Sequence, residues 1–204
     1  MKKKIFYIIS ITALLSFTLA QPVSEKYSAA MHAYNTSRYS EAIILFQNFF
    51  NEYTISDELF ATAKYYLAES QLNIGHRDAA AIEYNFLIKN FGWSNFREMS
   101  LYKLGLINFE SKKYSLSRKN FQMLLDEYPL SEHTGSALYW IGESYSEEGR
   151  LTDAINFLEE AVTKKQNNKN IDYSIFTLAS TYEKRGDYLN AVKYYDQLLS
   201  FHKS

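Results

Sequence analysis

One phrase recurs five times along this chain. It reads GDYLNAVKYYDQLL at Gly186–Leu199, GRLTDAINFLEEAV at Gly149–Val162 and KYSLSRKNFQMLL at Lys113–Leu125. Looser copies are GHRDAAAIEYNFLI at Gly75–Ile88 and SRYSEAIILFQNFF at Ser37–Phe50. Aligned on one small residue, the copies place Ala42, Ala80, Ser117, Ala154 and Ala191 at spacings of 38, 37, 37 and 37. Twelve positions before each stands a second small residue: Ala30, Ala68, Gly105, Gly142 and Ala179. Four positions after each comes a large one: Phe46, Tyr84, Phe121, Leu158 and Tyr195. A unit of this length cannot bury its apolar face alone, so the chain must stack copies until neighbours cover one another.

Within each copy the apolar residues step by three and four, which predicts two amphipathic helices per unit. Tyr188, Ala191, Val192, Tyr195, Leu198 and Leu199 show the step. Gly75, Gly149 and Gly186 fall between the two helices, where a left-handed residue ends the first. YTIS at Tyr53, FGWS at Phe91 and YPLS at Tyr128 join the units. Gly92 and Pro129 stop one helix there, and Ser56, Ser94 and Ser131 are expected to cap the next, with Asn168 in the corresponding place. Glycine inside a helix costs about 1 kcal/mol relative to alanine. Gly105 and Gly142 are therefore expected to mark a close crossing between a small residue on each helix.

The pattern resembles the tetratricopeptide repeat, best in ALYWIGESYSEEGRLTDAINFLEEAV at Ala137–Val162, over residues 24 to 202. The resemblance implies an all-α fold, a right-handed α-solenoid of five helical hairpins and ten helices. The long period and the YPxS junction are similar to those of repeats in bacterial envelope proteins. Two such groups are an outer-membrane assembly lipoprotein and a cell-division coordinator of the Tol–Pal system. The units run approximately 24–55, 56–93, 94–130, 131–167 and 168–204, and residues 21–204 are expected to form one solenoid.

The start of the chain reads as a secretory signal peptide: Lys2, Lys3 and Lys4, an apolar run over Ile5–Leu19, and TLA before Gln21. Residues 1–20 are expected to be removed, and the alternative is an uncleaved anchor. There is no cysteine, which excludes a disulfide framework, a thiolate nucleophile and a lipobox attachment. The mature protein is thus expected to be exported to the periplasm and to meet a membrane only peripherally, through partners. Beyond the leader, 19 basic residues face 23 acidic ones, which argues against nucleic acid as a partner.

Nothing in the sequence points to catalysis. His32, His76, His133 and His202 share no metal-ligand spacing, no glycine-rich phosphate loop is present, and Glu147-Glu148 and Glu159-Glu160 are neighbours splayed about 100° apart on helices. No enzyme, metal or cofactor is expected. By the resemblance, the inner face of the array is lined by an aromatic ladder: Tyr27, Tyr65, Tyr102, Tyr139 and Phe176. Met31, Glu69, Leu106 and Glu143 follow four residues on, and Tyr34 and Phe109 one turn later. These are the expected contacts for a protein or peptide segment, hydrophobic or basic in character. A second expected docking face is the last hairpin, where Val192, Tyr195 and Leu199 meet no following helix in the sequence. It would serve a partner or a homodimer. The competing readings are a small-molecule or lipid carrier with an aromatic-lined cavity, and a self-associating spacer.

Overall fold

The computed structural model describes residues 25–164 and 167–201. The leader, its cleavage site and His202 lie outside the described residues. Ten helices are described: α1 (25–35), α2 (Tyr39–Phe50), α3 (Glu58–Asn73), α4 (Arg77–Asn90), α5 (Arg97–Glu110), α6 (Tyr114–Glu127), α7 (Thr134–Glu147), α8 (Leu151–Thr163), α9 (Ile171–Lys184) and α10 (Tyr188–Phe201). No strand occurs among the described residues. Odd and even helices pair as the repeat register predicts, and the chain divides into two compact units, Met1–Arg97 and Glu98–Ser204.

Every hairpin turn holds one residue in the left-handed region at the same register. Gly75, Gly149 and Gly186 have φ of 82°, 73° and 83°. Ser37 and Lys112 occupy the equivalent places with φ of 59° and 57°, so the turn geometry outlasts the glycine that advertises it.

The junctions depart from the expected capping. The α3 cap is Asp57, not Ser56: its carboxylate accepts from the Phe60 amide at 3.0 Å and from the Tyr53 hydroxyl at 2.5 Å. A carboxylate suits that place because it takes both donors and complements the helix dipole. Ser94, Ser131 and Asn168 brace the turns ahead of their helices. Each accepts from the amide two residues on, at 3.1, 2.9 and 2.9 Å. Ser94 also donates to Glu58, and Ser131 to Glu98.

The recurrent small residues are all buried, and they form the cores. In the first unit Ala30, Ala33, Ala42, Phe46, Phe49, Ala63 and Leu67 cluster. In the second, Leu138, Ala154, Ile155, Leu158, Val162, Ile175, Leu178 and Tyr182 do so. The glycines work differently from the expected small-on-small crossing. A Cβ on Gly105 would lie 2.7 Å from the Phe121 ring, and one on Gly142 would lie 2.6 Å from Leu158 Cγ. Each glycine thus seats the large residue of the facing helix. The small Ser117 instead donates its hydroxyl to the Gly105 carbonyl at 2.9 Å.

Candidate functional site

The expected ladder divides on burial. Tyr65 and Tyr139 are buried, with Tyr65 stacked on Phe96 at 4.5 Å and Tyr139 against Trp140 at 4.8 Å. Glu69 is buried as well and accepts from the Tyr84 hydroxyl. In the described structure these three side chains serve packing. Phe96 of the α4–α5 junction covers the Tyr65 ring, Tyr139 lies in the core with residues of α8 and α9, and phenols satisfy the carboxylate. Tyr102 is half-buried, stacked on His133 at 4.7 Å and edge-on to Phe121 at 5.7 Å. Tyr27 leans on Phe49, and Met31 packs against the first core. Tyr34 meets Tyr66 at 4.8 Å, and burial beside Glu69 pushes its phenol up to about 12. Leu106 is half-buried, and Phe109 lies 4.8 Å from Trp140. Phe176 alone of the five ladder rings is exposed.

Glu143 sits between α7 and α9. Burial raises its carboxyl above the ordinary value, while a hydrogen bond from Thr177 and the charge of Lys184 pull it back. Its Oε2 is enclosed without a hydrogen-bond partner. Close by, the Ser146 and Thr181 hydroxyls share a bond at 3.4 Å, and Tyr182 donates to Glu159 at 2.5 Å. In this way α9 closes over α7 and α8 with an apolar stripe flanked by hydroxyl donors.

The last hairpin repeats that face without a cover among the described residues. Ile155 and Val162 on α8 are 3% and 8% exposed beneath α9. Their equivalents 37 residues on, Val192 and Leu199 of α10, are 57% and 60% exposed. Tyr195 is half-buried, with its ring 6.2 Å from Phe176 and its hydroxyl donating to Glu183 at 2.9 Å. Tyr173, Phe176, Tyr188 and Leu189 are exposed on the same hairpin. Sequence reasoning named Val192, Tyr195 and Leu199 but missed Tyr173, Tyr188 and Leu189. The signal was available: Tyr173 stands at the register of the fully buried Ser136.

Among the described residues no group of three or more His, Asp or Glu side chains gathers as metal ligands, and no helix is long and apolar enough to cross a membrane. An open depression of about 380 Å³ lies beside Glu98, Glu127, Tyr128, Pro129, Leu130 and Ser131, in the second unit.

Comparison with known proteins places the fold. The family model YfiO, an outer membrane lipoprotein family, matches residues 94–193. No curated protein matches the sequence. Among solved structures, MamA from Desulfovibrio magneticus RS-1 is 14% identical at a TM-score of 0.73, covering 89% of this chain and 95% of its own. Another MamA structure is 17% identical at 0.75, over 89% and 92%. A Podosopora anserina kinesin light chain protein with nearly identical TPR-like repeats is 13% identical at 0.66, over 88% and 93%. At these identities the likeness is one of fold, an all-α solenoid of tetratricopeptide-type hairpins.

Proposed function

We propose that this chain, which has the tetratricopeptide-repeat fold, works as a non-enzymatic protein-interaction scaffold of the bacterial cell envelope. It holds a segment of a partner protein. The observation that carries the reading is the open last hairpin: positions that bury Ile155 and Val162 one repeat earlier leave Val192 and Leu199 facing solvent. The match of residues 94–193 to an outer membrane lipoprotein family supports the envelope setting, and the leader-like start supports export. The guest surface is α10 together with Phe176 and Tyr173 of α9, rather than the full ladder, because Tyr65 and Tyr139 are already covered. The same exposed face supports a second reading, a homodimer through the last hairpin.

The test is cross-linked co-purification from the native envelope fraction with the wild type and with Val192→Asp/Leu199→Asp. The double variant should lose a partner that the wild type retains while keeping its helical content and melting temperature. Equal recovery of the same partner by both proteins would sink the reading.

A further inference from the structure

The repeat register also says what kind of segment fits. We infer that the open face of α9 and α10 takes an amphipathic α-helix of a partner protein, with a cationic side chain at one defined position. This rests on the reading of the last hairpin as the interaction face. The template is internal. Helix α9 covers α8 with Ile175, Leu178 and Tyr182, begins that stripe at Ile171, and meets polar groups with the consecutive Thr181 and Tyr182. Thr181 faces Ser146 of α7, and Tyr182 donates to Glu159 of α8.

One repeat on, Ser146 becomes Glu183 and Glu159 becomes Asp196. Both acids are exposed, and neither joins an ion pair among the described residues. Two cations of the hairpin are engaged elsewhere: Lys193 Nζ lies 5.0 Å over the Tyr194 ring, and Arg185 pairs with Asp187 at 3.2 Å. A neutral threonine at that place can donate a hydrogen bond to Glu183, as Thr177 does to Glu143 and Tyr195 already does to Glu183, but it leaves the charge of Glu183 uncompensated. A lysine or arginine there supplies the missing complement, and a second donor beside it serves Asp196. The docked helix carries apolar residues at the places of Ile171, Ile175 and Leu178, then the cation at the place of Thr181.

A second copy stacked head to tail does not meet this template. The covering positions Ile175, Leu178, Thr181 and Tyr182 correspond in α1 to Lys26, Ala29, His32 and Ala33. That helix lacks the stripe, with Ala29 and His32 exposed and Ala33 already buried in its own core.

The probes are synthetic peptides of residues 171–185 carrying Thr181→Lys or Thr181→Glu, titrated into the full chain by fluorescence anisotropy. The lysine peptide should bind about tenfold or more tightly than the glutamate peptide, and the gap should shrink in high salt. Val192→Asp should abolish binding, and Glu183→Lys should reverse the preference between the two peptides. Equal binding of both peptides, or binding that survives Val192→Asp, overturns the proposal. So does sedimentation showing a dimer that Val192→Asp dissolves, because the occupant is then a second copy. If no peptide binds although Val192→Asp/Leu199→Asp still loses its envelope partner, the helix template fails and the scaffold reading stands.

Discussion

At the scale of single residues, the chain spends its ionisable groups on closing the stack. Tyr65, Tyr84 and Tyr139 have their phenols pushed upward, by burial first and by neighbouring glutamates second. Glu143 is the informative case, because burial holds its carboxyl above the ordinary value of 4.5. The folded state then keeps a proton that the unfolded chain has released. Stability falls as pH rises through that window, and the penalty stays in full above it. Glu143→Gln should therefore melt higher than the wild type at pH 7, and the difference should vanish as pH drops below 4.5. Thermal melts of both proteins across that range check the sign. The position was legible in the sequence as an inner-face acid. Its enclosure was not, because burial depends on how closely α9 approaches α7, which no residue spacing encodes.

At the scale of the element, the hairpin turn shows how far pattern reading reaches. Three of the five turns announced themselves by glycine, whereas Ser37 and Lys112 adopt the same left-handed backbone silently. Packing of the paired helices over-determines the turn there. The local cost remains, about 1 kcal/mol for a residue with a Cβ. A Cβ on Gly149 would meet nothing within 4 Å, so any loss there is purely one of backbone conformation. Lys112→Gly should thus raise stability by about 0.5–1 kcal/mol, and Gly149→Ala should lower it by about as much. Urea titrations with unchanged slope would read both. The junctions were less legible. Ser56 and Asp57 both qualify as caps by type, and the Tyr53 hydroxyl on the Asp57 carboxylate favours the aspartate. A glycine in the first turn of α7 passed unread for a similar reason. A Cβ on Gly135 would lie 2.6 Å from Asn168 Cβ and 2.9 Å from two carbonyl oxygens of the α8–α9 junction, a contact made across 33 residues of chain.

At the scale of the molecule, a repeat array writes the same interface several times, so one position can be compared under cover and in the open. The sequence displayed the period, the paired helices and the buried small residues, because those follow from spacing. It did not separate the two buried ladder rings, Tyr65 and Tyr139, from the other three, because one aromatic register serves two purposes: inside the array it packs in the core, as Tyr139 does, and on the last hairpin it meets solvent, as Phe176 does. That duality makes a register-matched pair of substitutions decisive. Ile155→Asp places a carboxylate beneath α9 among Leu158, Val162, Ile175 and Leu178. It should cost at least about 3 kcal/mol, from lost packing together with an unpaired buried charge. Val192→Asp makes the same chemical change at the same register, on a side chain already 57% exposed, and should stay within about 0.5 kcal/mol. Equilibrium unfolding of the two variants measures the difference directly. A large loss at Val192 would mean that a second copy or another segment covers this face in solution. A small loss at Ile155 would deny that α9 seals α8, and with it the internal template from which the guest helix is inferred.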